Sequence, residues 1–236
     1  MTNKAEHFFS QAENEKIKNA IVSAEKGTSG EIVVMVVDES DPYYEASTFG
    51  AFILSSLVAL VATIIIGVLT NYQTEWSYSS KGFLLDLILI SVEYASVWIF
   101  IPLLVVVYYP CKMLLSKLPR IKIYFVSKKH RQLAVYERAI QAFYEKGLYR
   151  TRDETGVLIF ISLLERRVWI LGDRGIHSKI GDTFWKVRAE ELGHGMKSNK
   201  YCDEICNVIK ICGQELTKHF PIKSDDKDEL PNEVML

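Results

Sequence analysis

The stretch ETGVLIFISLLERRVWILGDRGIHSKIGD, residues 154–182, holds two apolar runs, 156–163 and 167–171. Runs that are apolar without alternation read as strands buried on both faces, as in the middle of an α/β sheet. Leu164–Arg166 is short enough for a hairpin turn, so the two runs are expected side by side and antiparallel. A third run of the same kind lies far upstream. TSGEIVVMVV (28–37) gives a turn and then a continuous apolar strand from Glu31 to Val37. That strand has no partner on its own side of the chain, so it is expected to pair with 156–163.

What separates the strands is of a different character. TFGAFILSSLVALVATIIIGVLT, Thr48–Thr70, carries no charge, and FLLDLILISVEYASVWIFIPLLVVVYY, Phe83–Tyr109, carries only Asp86 and Glu93. About 20 apolar residues suffice to cross a hydrocarbon core of about 30 Å. Two such segments in tandem read as a transmembrane hairpin, with spans at 48–70 and 83–109. The first begins too far from the start, and lacks the preceding basic region, to be a secretory signal. Tyr72, Trp76 and Tyr78 in the connecting loop suit a membrane interface. An acid in hydrocarbon is costly, which makes Glu93 an intramembrane candidate residue. The plainer reading is a hydrogen bond to Ser55, Ser56 or Thr63, or a contact with a partner helix.

Lys112, Lys117, Arg120, Lys122, Lys128, Lys129 and Arg131 follow the second span, whereas the hairpin loop has Lys81 alone. By the positive-inside rule the basic side faces the cytoplasm. The expected location is the inner membrane, multi-pass, with both termini cytoplasmic. Cys111, Cys202, Cys206 and Cys212 then stay reduced. A net charge of -1 gives no sign of a nucleic-acid partner.

Helical spacing marks residues 6–27, with Phe8, Phe9, Ile17 and Ile21, and a helix around 131–146 with Leu133, Ala139 and Phe143. It also marks 179–192, with Ile180, Phe184, Val187 and Leu192 inward, and a last helix over 201–219. The soluble order is α-β, then the hairpin, then α-β-β-α-α. Neither soluble half can fill a core alone. The expected organisation is one cytosolic α/β domain in two pieces, 1–47 and 111–220, interrupted by the hairpin at 48–110 and followed by a flexible tail at 221–236.

These residues carry a resemblance. TSGEIVVMVV, followed after a helix by TGVLIFISLLERRVWILGDRGI and a later Asp182, resembles the TPM domain. The family is named after a thylakoid protein, a photosystem II repair factor and a nematode receptor accessory protein. The inserted hairpin, LTKHFP (216–221) and DELPNEV (228–234) are similar to a bacterial membrane-bound branch of it. The resemblance implies a Rossmann-like α/β/α sandwich, here split by the inserted two-helix transmembrane hairpin. It implies acid phosphatase activity and calcium binding for some members and support of partner proteins for others.

The loop after the third strand is where chemistry is expected. The resemblance implies a glycine-rich turn followed by a Glu and a later Asp. Gly175 and Asp182 match, but His177 stands where the Glu is expected. Calcium prefers oxygen donors. Asp173 and Asp182, with Glu31 of second rank, supply these, and with His177 they make a candidate set for a softer divalent cation. The alternative is a structural turn, in which Asp173 caps, Gly175 takes positive φ and Arg174 is solvated. Cys202 and Cys206 read as core packing, and the ERR at 165–167 as a charged hairpin tip or a contact to phosphate or lipid headgroups. No Walker loop, G-x-S-x-G or HExxH is present. Two function classes remain: a non-catalytic, membrane-anchored module that binds a protein or ligand, and a metal-dependent, acid-phosphatase-like hydrolase. The expected partners are the lipid bilayer and another membrane or cytosolic protein.

Overall fold

The structure, a computed structural model, describes residues 4–74, 83–195, 201–222, 230 and 233–235, with side chains in the hairpin up to 66 and from 99. The chain divides into two compact units, Met1–Pro42 with Lys128–Leu236, and Tyr43–Ser127.

The first unit is the α/β unit. It contains α1 (Gln11–Glu25), β1 (Glu31–Val37), α5 (Lys128–Glu145), β2 (Gly156–Ser162), β3 (Arg167–Gly172), α6 (Arg174–His177), α7 (Asp182–Gly195) and α8 (Tyr201–His219). The strands form one mixed sheet in the order β1-β2-β3. β1 and β2 are parallel, from Glu31 opposite Gly156 to Val37 opposite Ser162. β2 and β3 are antiparallel, from Val157 opposite Gly172 to Ser162 opposite Arg167.

Both faces of the sheet are covered, and this explains why the runs do not alternate. Ile32, Val34, Val36, Ile159 and Ile161 pack with Ile17 and Ile21 of α1 and Ile205, Ile209 and Leu216 of α8. Val33, Met35, Leu158 and Phe160 pack on the other face with Val135, Ala139 and Phe143 of α5. Fully burying one such side chain stabilises by about 1.5–3 kcal/mol. The architecture is the expected α/β/α sandwich.

Local signals set the helix ends. The helix expected over 6–27 begins only at Gln11, because Ser10 and Glu13 form a reciprocal capping box. Ser10 N donates to Glu13 Oε2 at 2.9 Å and Glu13 N donates to Ser10 Oγ at 3.3 Å. The backbone bond from Ser10 holds the Glu13 carboxyl below the ordinary Glu value. The helix expected over 179–192 appears as α7, which starts only at Asp182, and a separate short helix, α6, precedes it across a break at 178–181. Restarting at Asp182 changes the phase, so Trp185 and Leu192 are buried while Val187 is exposed.

The end of the tail also differs from expectation. Met235 forms a parallel bridge with Met35 on the edge of β1. Among the described tail residues, Val234 packs against one core and Leu230 and Met235 against the other. Three apolar side chains and the pair of backbone bonds at Met235 outweigh the polar composition around them.

The second unit is helical: α2 (Tyr44–Thr74), α3 (Phe83–Lys117), α4 (Pro119–Lys122) and a 3-10 turn at Ile123–Phe125. Ala51, Ser55 and Ala59 are fully buried. Their spacing of four puts small residues on one stripe of α2, where a second helix can approach closely. The outer faces carry exposed Leu57, Ile64, Ile101 and Val106. Tyr44–Ile66 and Ile99–Lys117 are each long and apolar enough to cross a membrane. The helices outrun the expected limits of 48–110, since α2 begins a turn earlier and α3 continues through Pro110 to Lys117. Glu93 and Asp86 lie on α3 but outside the residues whose side chains are described.

Candidate functional site

The candidate loop starts where β3 leaves the sheet. Asp173 N donates to Gly156 O at 2.9 Å, one step beyond the last strand pair. Asp173 then turns extended and caps α6, with Oδ1 accepting from Arg174 N at 2.7 Å. Its other oxygen, Oδ2, is buried with no hydrogen-bond partner among the described residues. A carboxylate oxygen in that state is the one feature of the loop that invites a cation or a proton donor.

His177 and Asp182 do meet. His177 Nδ1 lies 2.9 Å from Asp182 Oδ1, and the two side chains are 62% and 59% exposed. Asp182 also stands in the first turn of α7, where a negative charge complements the helix dipole. A pair so open to water contributes under about 1 kcal/mol.

Glu31 is elsewhere. It is 8% exposed and opens β1 opposite Gly156, the residue whose carbonyl accepts from Asp173. Glu31 and Asp173 therefore share one end of the sheet but stand two strands apart, about 10 Å at the usual strand spacing. Among the described residues no group of three or more His, Cys, Asp and Glu is placed to hold a metal ion. The four residues expected as a metal set are thus one contact pair, one cap and one buried strand residue.

Two glycines define this end of the sheet. A Cβ on Gly156 would lie 2.5 Å from Leu148 O, and one on Gly175 would lie 2.6 Å from Glu154 O and 2.7 Å from Asp153 O. Gly175 sits inside α6 and not at positive φ. It is needed because the backbone of 153–154 presses on the helix, not because of its own dihedral.

The opposite end of the sheet holds a polar cluster. Glu165 is 7% exposed, so it is not the solvated hairpin tip that the sequence suggests. Its carboxylate accepts from Ser162 Oγ and, at 3.0 Å, from Ser40 N. Ser40 Oγ donates to Ser162 Oγ at 3.0 Å. The turn is closed by Arg166 in the left-handed region, at φ 52°. A hydroxyl three residues before a carboxylate, S-x-x-E, was the available signal.

Cys202, Cys206 and Cys212 are packing residues with suppressed acidity. Burial pushes the Cys212 thiol up to about 12 and the Cys206 thiol up to about 11. Cys202 is raised for the same reason, and its Sγ lies 3.8 Å from Glu13 O.

Residues 117–205 match the family model of the TPM domain. Among solved structures, the chain is similar to the NMR structure of the BA42 protein from the psychrophilic bacterium Bizionia argentinensis, at 21% identity. That likeness covers 97% of this chain and 94% of that one, with a TM-score of 0.53, and it bears on the fold. No curated protein matches the chain.

Proposed function

We propose, from the match of residues 117–205 to the family model of the TPM domain, that the chain is a membrane-anchored interaction module. The α/β unit binds a protein or ligand at the cytoplasmic face of the inner membrane, and the hairpin holds it there. The observation that carries this reading is the apolar surface of the two long helices. Ile64, Ile101 and Val106 are exposed on helices that meet the length for a span. Leaving such surface in water is unfavourable by about 25 cal/mol per Å². A bilayer removes that cost. The Lys and Arg residues after the second span favour the cytoplasmic orientation.

The loop 172–182 supports binding more than catalysis. His177 and Asp182 are paired and more than half exposed, which is a poor setting for a tuned acid or base. A second reading, the metal-dependent phosphatase, is favoured by one observation: the buried Oδ2 of Asp173 lacks a partner among the described residues. In that reading Asp173 holds a divalent cation, with His177 and Asp182 turning towards it from their present contact.

One experiment separates the readings. Membranes containing the chain are washed with alkaline carbonate, and the purified protein is assayed for phosphate release with and without manganese or calcium. Retention in the membrane, with phosphate release no greater than that of Asp173→Ala, supports the interaction module. Extraction into the wash refutes the anchor, and phosphate release abolished by Asp173→Ala establishes the hydrolase. Reporter fusions at residues 1, 76 and 236 test the orientation, and an external signal at either terminus overturns it.

A further inference from the structure

The chain binds its own end in the way that a sheet binds a peptide. β1 lies at the edge of the three-stranded sheet, with β2 on one side only. On its other side Met235 N donates to Val34 O at 2.9 Å, and Val36 N donates to Met235 O at 3.0 Å. The pairing is parallel and centred on Met35. Successive tail side chains go to opposite faces, as a strand's do: Val234 joins the core under α1 and α8, and Met235 the core under α5. Glu233 Oε1 lies 3.0 Å from Lys18 Nζ on α1.

Among the described residues, the tail meets the middle and far end of the edge. Near its start, Ile32 N donates to the Glu25 carboxylate at 2.7 Å, so α1 itself answers that position. Among the described residues, the tail is held by one residue's pair of backbone bonds, three apolar side chains and an ion pair in solvent. Bonds exchanged with water and exposed ion pairs each stabilise only modestly. An extended segment is thus held by backbone bonds, by alternate side chains on two faces and by one charge, which is the chemistry of strand addition.

We propose that the β1 edge from Val34 to Val36 is a docking groove for an extended peptide from another protein, and that residues 233–235 occupy it as an internal competitor. The peptide lies parallel to β1. It carries an acidic residue for Lys18, then an aliphatic residue for the α1/α8 face, then a long apolar residue for the α5 face beside Met35. The inference rests on the interaction-module reading and gives that module its binding surface. Tethering places the tail at millimolar effective concentration, so the intact chain shows a weakened apparent affinity. Releasing the tail opens the groove.

The test uses the full chain in nanodiscs and a fluorescent peptide of sequence LPNEVML, the chain's own residues 230–236. Val234→Asp with Met235→Asp releases the tail without shortening the chain. Anisotropy should show saturable binding to the released variant, at least about ten-fold tighter than to the intact chain. Adding Lys18→Glu to the released variant should weaken binding by about five-fold. Hydrogen exchange at the Val36 amide should quicken on release and slow again with peptide. Equal binding by the intact and released chains, or no saturable binding to a folded released variant, overturns the proposal. Should the double variant not fold, Glu233→Lys in the full chain loosens only the exposed ion pair. It should raise peptide affinity by about three-fold, and no change overturns the groove. Peptide binding reports on the edge alone, whereas carbonate extraction reports on the anchor, so the two readings fail separately.

Discussion

The two ends of the sheet use acidic residues in opposite ways. At one end Glu165 is withdrawn from water and satisfied by Ser162 Oγ and Ser40 N. At the other, Asp182 meets His177 in the open, and Asp173 divides its oxygens between a helix cap and a buried position without a hydrogen-bond partner among the described residues. The first arrangement fixes chain geometry, because a buried polar group that loses its partner is expensive. The second leaves side chains that can be rearranged at little cost, which is what a binding loop requires. Between Glu165 and Asp182 the difference is one of burial, not of residue type.

The comparison is broken most directly at Glu165. Glu165→Ala leaves the buried Ser162 hydroxyl without its acceptor and Ser40 N without its carboxylate. The expected destabilisation is about 3 kcal/mol, read as a lowered midpoint of thermal or denaturant unfolding. Glu165→Gln keeps a carbonyl acceptor for one of the two donors and turns an NH2 towards the other, so it should lose less than the alanine variant. An alanine variant as stable as the parent would make the buried cluster incidental, and the contrast between the two ends would vanish.

Gly175→Ala probes the opposite end through its backbone. The added Cβ meets the carbonyls of Glu154 and Asp153 at 2.6 and 2.7 Å, and neither is a side chain that can swing away. The expected loss is about 2 kcal/mol. A neutral result would mean that the contact of 153–154 with α6 is loose, and that the loop is adaptable in its backbone as well as its side chains.

Much of this architecture is legible in the sequence for one physical reason. A strand covered on both faces has no polar positions, so 31–37, 156–163 and 167–171 stand out as unbroken apolar runs. The pairing of β1 with β2 across the insertion follows because neither soluble half contains enough apolar surface for its own core. The hidden parts are those where one residue overrides its composition. Glu165 lies in a charged ERR turn, the usual setting of a solvated residue, yet its two serine partners draw it inward. The break before Asp182 shifts the buried position from Val187 to Trp185, a change of phase that spacing alone does not reveal. Met235 is anchored by backbone pairing, and Val234 by packing, within a tail that composition marks as solvated. The candidate site was legible as a list of residues but not as a cluster. Short-range spacing brought His177 to Asp182, while the sheet kept Glu31 two strands from Asp173.

Asp173→Ala should have an intermediate effect. It removes the cap of α6, a loss of about 1 kcal/mol for a helix start. It also removes Oδ2, which is buried and has no hydrogen-bond partner among the described residues, so the net destabilisation should fall below that of an ordinary cap. Asp173→Asn restores the capping acceptor without the charge. An asparagine variant more stable than the parent would show that the carboxylate is kept for something other than stability, and would move this end of the sheet towards the catalytic or metal reading.

The smallest effect is expected at the exposed pair, and there a null result is informative. His177→Ala and Asp182→Ala should each change stability by no more than about 0.5 kcal/mol, because an ion pair this exposed contributes little. Their double variant should equal the sum of the single ones within error, since water replaces each partner. Against that quiet background, metal binding can be read without a folding artefact. Titration with manganese, zinc and calcium should show manganese or zinc ahead of calcium if the loop takes a cation, because imidazole supplies a nitrogen where calcium prefers oxygen. His177→Ala should then abolish the preference, and Asp173→Asn should weaken every ion. Saturable calcium binding that survives His177→Ala would place the site on oxygen donors alone. No binding by the parent leaves the loop as a helix cap and a surface pair, and the sheet ends would then differ only in how firmly each holds the chain.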